Sequence, residues 1–108
     1  MVSECDRAVR AAIPAVRITV SEILSRDYGM PQEEIAKRLG VTQASVNKYL
    51  NSKYSGSTAR VIVAIRRAGL DRKIARAAAR RGRVSELNEM VDDAAASPYV
   101  VRSALALF

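Results

Sequence analysis

The chain has 108 residues, a formal net charge of +7 and a pI of about 10.2. That length gives one domain with at most a small appendage, and the charge favours an anionic partner, nucleic acid ahead of membrane. No histidine and a single cysteine, Cys5, remove the commonest general base and the commonest metal ligand, and rule out an internal disulfide or a cysteine-built zinc site.

No apolar run is long enough to span a bilayer. Glu4, Asp6, Arg7 and Arg10 break up the first twelve residues, so no signal peptide is expected and the protein is placed in the cytoplasm. Alanine, arginine, valine, leucine and isoleucine dominate, with little β-turn chemistry. An all-α fold follows.

The first expected helix runs from about Ser3 to Tyr28. Ser3 can cap it, Glu4 and Asp6 suit its positive end, and Val9, Ile13, Val16, Val20, Ile23 and Leu24 recur at helical spacing. Pro14 is expected to kink this helix or divide it. Its length suggests that the front part packs on something other than the motif that follows. Gly29 then ends the helix, and Pro31 opens the next with Glu33 and Glu34 in its first turn.

Residues 32–50, QEEIAKRLGVTQASVNKYL, read as a helix-turn-helix. Ile35, Ala36 and Leu39 share one face of a helix over about 32–39, and Val46 and Leu50, flanked by Tyr49, share one face of a second helix over about 43–51. Gly40 can take a positive φ and turn the chain, and Thr42 stands where the N-cap belongs. Small Ala36 lets the two helices cross closely.

Opposite Val46 and Leu50 lie Gln43, Ala44, Asn47, Lys48 and Asn51. Gln43 and Asn47 each offer a donor beside an acceptor, which matches the major-groove edge of adenine. Ala44 can touch a thymine methyl, and Lys48 can reach a phosphate. A polar surface helix is the plain alternative. The coincidence of cap, glycine turn, small residue and a face of unpaired amides argues for the DNA reading.

Beyond the motif, residues 51–57 form a polar loop. Ser57 or Thr58 is expected to cap a helix reaching about Ala68, with Val61, Ile62 and Ile65 buried and Gly69 as C-cap. Asp71 starts a further helix ended by Gly82, Ser85 starts another, and Ser97 with Pro98 opens the last. Composition shifts after Leu70. Residues 1–70 are therefore read as the DNA-binding domain and 71–108 as a C-terminal helical extension.

From Arg60 to Arg83 there are nine basic residues against one acid, Asp71. From Val84 onward Glu86, Glu89, Asp92 and Asp93 stand against Arg102. The basic block either contacts phosphates or solvates a helix and pairs with those four acids; both readings stand. Val100, Val101, Leu105, Leu107 and Phe108 either fold back on the core or pair two copies.

The region from Cys5 to about Tyr54 resembles archaeal predicted transcriptional regulators of the repressor-like helix-turn-helix class, and more widely the phage-repressor and Cro superfamily. The strings AIPAVRITVSEIL and YGMPQEEIAKRLGVTQASVNKYL carry the resemblance. It implies four to five helices around the motif and binding to double-stranded operator DNA as a homodimer. Gln32 would contact a phosphate, Gln43, Ala44 and Asn47 would face bases, and Ser45 and Lys48 would face the backbone. Thr42, Asn51, Lys53, Arg66 and Arg67 complete the expected backbone contacts. Relatives often carry further cysteines suited to a sensor, and this chain has none, so Cys5 is expected to be a small, partly buried thiol.

No cofactor and no catalytic group is expected. Glu33 and Glu34 are explained by the helix start, and Asp92 and Asp93 lack a partner suited to catalysis. The competing expectations are a protein-interaction module such as an antitoxin, and a nonspecific nucleic-acid-binding protein.

Overall fold

In a computed structural model the chain forms seven helices over the residues described, 4–51 and 56–105. They are α1 (Glu4–Arg26), α2 (Gln32–Leu39), α3 (Gln43–Asn51), α4 (Gly56–Ala68), α5 (Leu70–Ala79), α6 (Val84–Ala95) and α7 (Pro98–Leu105). No described helix is long and apolar enough to cross a membrane. Ser3, Lys53, Leu107 and Phe108 lie outside the described residues, as do the side chains of Cys5 and Ser57.

Helix α1 is the axis, for all six other helices pack against it. Its sequence shows why. Ala8, Ala12, Ala15, Val16, Ile18, Val20 and Leu24 are all buried, so one 23-residue helix offers apolar surface around much of its circumference. Thr19 is buried as well and returns its hydroxyl to the Val16 carbonyl at 2.9 Å. The small residues at 8, 12 and 15 let neighbouring backbones approach closely. Pro14 does not divide the helix: it lies exposed inside an unbroken α1, where water can take up the carbonyl that the missing amide leaves free.

The later helices close around this axis. One continuous core runs from Ala8 on α1 through Ile35 on α2, Val46 on α3, Ile65 on α4, Ile74 on α5 and Leu87 on α6 to Val100 and Ala104 on α7. Helix α7 packs on α1 and α4, with Val100 and Ala104 buried and Val101 and Leu105 partly buried. Its opening at Pro98 agrees with the sequence signal.

Three helix starts differ from expectation. Helix α4 begins at Gly56, so Thr58 lies inside its first turn rather than ahead of it. Helix α5 begins at Leu70, which leaves Asp71 in the first turn with its carboxylate accepting from the Arg72 amide at 2.8 Å. Helix α6 begins at Val84 rather than Ser85.

The end of α5 differs most. The residue in the left-handed region is Arg81, at φ 62°, not Gly82. The Gly82 amide donates to the Ala77 carbonyl and the Arg81 amide to the Ala78 carbonyl, both at 3.1 Å. These two bonds form a Schellman close, which needs its left-handed residue one position before the glycine.

Candidate nucleic-acid interface

The motif is built by two short helices and one turn. Ile35, Ala36 and Leu39 of α2 are buried, and α2 packs on α1, α3 and α6. Helix α2 ends where Gly40 enters the left-handed region at φ 68°, and the Val41 amide returns to the Ala36 carbonyl at 3.0 Å. Thr42 then caps α3: its Oγ1 accepts from the Ser45 amide at 3.1 Å and lies 2.9 Å from the Ser45 Oγ. Val46 is fully buried, and Tyr49 and Leu50 lean on the core. Helix α3 is thus anchored along one side to α1 and α2.

Its other side is open. Gln43, Ala44, Asn47, Lys48 and Asn51 are all exposed. Ala44, Ser45, Asn47, Lys48 and Asn51 line a shallow surface depression of about 500 Å³. Of the side chains read as base-facing, Ala44 and Asn47 line this depression, and Gln43 is exposed at the start of the same helix.

The amides on this exposed strip of α3 are not all unengaged. Asn51 donates through Nδ2 to the Asn47 carbonyl oxygen at 3.0 Å and also to the Asn47 Oδ1. The spacing of four residues makes this pair possible on a helix. It holds the Asn47 side-chain oxygen toward Asn51 and leaves the Asn47 amide nitrogen, a donor, directed elsewhere. The expectation of an unpaired amide face is corrected to that extent. Thr42 and Ser45 likewise spend hydrogen-bonding capacity on the cap.

The remaining expected contacts are scattered. Gln32 is half-buried at the start of α2. Lys53 lies outside the described residues. Arg66 is paired with Glu22 of α1 at 2.8 Å, so its guanidinium ties α4 to the axis helix. Arg67 faces a groove between α4 and α7, helices that pack on α1 and on each other and not extensively on α3.

Two supports of the motif come from residues that sequence reasoning passed over. Arg38, on α2, is a strap between helices. Its Nε donates to Glu34 at 2.7 Å, and its Nη1 donates to the Ala78 carbonyl at 2.6 Å. The positive guanidinium meets the end of α5, where exposed carbonyls and the helix dipole are both negative. The hydrogen bond from Arg38 holds the Glu34 carboxyl below its ordinary pKa against the opposing effect of desolvation, with the charges of Arg38, Lys37 and Arg81 adding to the lowering. The second support is Val84 on α6, whose Cγ1 would lie 2.5 Å from a Cβ placed on Gly40. The turn between α2 and α3 therefore rests directly on the first residue of α6. The four-residue step from Glu34 to Arg38 was visible in the sequence, whereas the contact across 44 positions was not.

No curated protein and no solved structure matches the chain. Residues 26–68, from the last residue of α1 to the last residue of α4, match the family model described as Helix-turn-helix, and the two motif helices with their turn fall inside that span.

Proposed function

We propose that this protein is a sequence-specific transcriptional regulator that lays α3 in the major groove of double-stranded DNA. One observation carries the reading: α3 is fixed by Val46 on one side and exposes Gln43, Ala44 and Asn47 on the other. Gln43 and Asn47 read base edges, Ala44 meets a thymine methyl, and Lys48 takes a phosphate. Asn51 orients Asn47 rather than acting only on the backbone. Thr42 and Ser45 stand at the start of α3, where amide groups and hydroxyls suit a phosphate. Gln32 adds a contact from the start of α2. A net charge of +7 supplies the sequence-independent attraction. Arg66 is left out of the DNA contacts because Glu22 engages it, and Arg67 because of its place between α4 and α7.

Binding to a two-fold operator as a homodimer belongs to the same reading. The two recognition helices would then lie about 34 Å apart, one turn of the duplex. Selection of bound sites from a random DNA pool tests both parts. A defined, palindromic consensus is expected. Gln43→Ala and Asn47→Ala should each cost on the order of 1–3 kcal/mol and relax preference at separate base pairs. Equal affinity of parent and both variants for the selected and the scrambled site would remove α3 from the interface.

A further inference from the structure

A groove of about 610 Å³ runs between α4 and α7, and nothing in the DNA reading uses it. On α4, Arg60, Val63, Ala64 and Arg67 recur at the three- and four-residue steps that put them on one face. On α7, Tyr99 and Arg102 are three apart and line the opposite wall. Val63 is 43% exposed and Tyr99 70%, two of the few large apolar side chains so placed. The lining contains three arginines and no acid, and none of the three is paired with a carboxylate of a described residue.

Exposed apolar side chains interleaved with three guanidinium groups set what would fit. Val63 and Tyr99 call for apolar anchors, and the arginines call for carboxylates that can accept paired hydrogen bonds. A duplex offers anions without the anchors, and α4 and α7 do not pack extensively on the helix that faces DNA. A second copy docked groove to groove would oppose arginine to arginine. A second copy could instead offer the acids of α6, Glu86, Glu89, Asp92 and Asp93, which are exposed. Of the large apolar residues on that helix, Leu87 and Val91 are buried in its own core, Met90 is partly buried against it, and Val84, 40% exposed, stands at the first residue of α6 against the Gly40 turn. Neither arrangement places a freely exposed apolar anchor among the four acids.

We propose that the α4–α7 groove docks an acidic, amphipathic segment of a partner protein, with apolar side chains against Val63 and Tyr99 and carboxylates on Arg60, Arg67 and Arg102. The groove shares no lining residue with the α3 strip, so a regulator would hold its two partners through different side chains. It stands or falls separately from the DNA reading.

The test is selection from a phage-displayed library of random 16-residue peptides, against the full chain. Winning peptides are expected to combine one or more apolar residues with flanking aspartate or glutamate. Their affinity should fall at least roughly tenfold on Arg60→Glu, Arg67→Glu or Arg102→Glu, and also on Tyr99→Ala, as loss of a charge pair or aromatic anchor at an interface predicts. Arg80→Glu, an exposed charge reversal outside the groove, should leave it within about twofold. All these residues are exposed, and a thermal melt confirms that each variant folds.

No enrichment, neutral or basic winners, or binding indifferent to the three groove arginines overturns the proposal. So does a concentration-dependent dimer that dissolves on the groove reversals, which hands the groove to a second copy. Peptides that bind only after removal of residues 106–108 would hand it to the chain's own end. Loss of DNA affinity in Arg60→Glu and Arg67→Glu well beyond that in Arg76→Glu and Arg80→Glu would hand it to the duplex.

Discussion

Gly40→Ala tests whether the helix-turn-helix is seated on the C-terminal helices. Two separate costs are readable from the structure. At φ 68° an alanine sits in the left-handed region, which costs roughly 1–2 kcal/mol. Its Cβ would also lie 2.5 Å from the Val84 Cγ1, more than an ångström inside ordinary carbon contact. Valine has few side-chain rotamers through which to retreat, so overpacking of about 1–3 kcal/mol is expected. The single variant should then lose about 2–5 kcal/mol, less the few tenths to about 1 kcal/mol that alanine recovers by stiffening the unfolded chain.

The second change separates the two costs. Val84→Ala removes the Cγ1 and leaves the Val84 Cβ at 3.8 Å, an ordinary contact. Val84 is 40% exposed, so by itself this truncation should cost no more than about 1 kcal/mol. In the Val84→Ala background Gly40→Ala should pay the backbone cost alone. Urea denaturation of the parent, both singles and the double then gives a coupling of about 1–3 kcal/mol, with the double more stable than the sum of the singles. The unfolded-state contribution is the same in both backgrounds and drops out. Additivity to within about 0.5 kcal/mol would refute the claim that α6 supports the turn.

Other outcomes follow from the same supports. Arg81→Gly should raise stability by up to about 1 kcal/mol, because the left-handed residue that closes α5 carries a Cβ it does not need; a thermal melt suffices to check it. Arg38→Met should cost on the order of 1.5–3 kcal/mol, since it removes a charged donor from the Ala78 carbonyl at the end of α5. The Glu34 carboxyl has its pKa lowered in the folded chain, chiefly by the hydrogen bond from Arg38. Its contribution is therefore fully present above the ordinary glutamate value and is lost as pH falls through the lowered folded value. Stability measured from neutral down into the acid range should drop across that window, and Glu34→Gln should flatten this part of the profile. An unchanged profile would mean that Arg38 does not hold the carboxylate in solution.

The motif was legible because its signals are local. The glycine at 40, the cap at 42 and the apolar steps at 35, 36, 39 and 46 each act within one helical turn, and the structure places every one of them where periodicity and capping chemistry put it. The last helix was legible at Pro98 for the same reason. Helix α5 shows how a local signal misleads: Gly82 marks the right turn, but the Schellman hydrogen bonds select Arg81 for the left-handed position. The α3 strip shows another limit. A periodicity argument places Asn47 and Asn51 on one face but cannot say that one amide will bond to the other.

What was not legible is where the charges and the later helices go. Equal numbers of arginines on a surface and in a groove look alike in a sequence, and only the packing of α4 against both α1 and α7 separates Arg66, paired with Glu22, from Arg67, one residue on and facing the other side. Consecutive residues on a helix point about 100° apart, so one step is enough to send one guanidinium to an ion pair and its neighbour to a groove. The same packing changes what residues 70–105 mean for the motif. Arg38 reaches the end of α5, Gly40 rests against Val84, and α1 touches every other helix. The angle at which α3 is presented is therefore set in part by residues outside the span 26–68, and substitutions at Val84 or Arg38, far from any base, should alter DNA affinity through the seat of α3 rather than through contact.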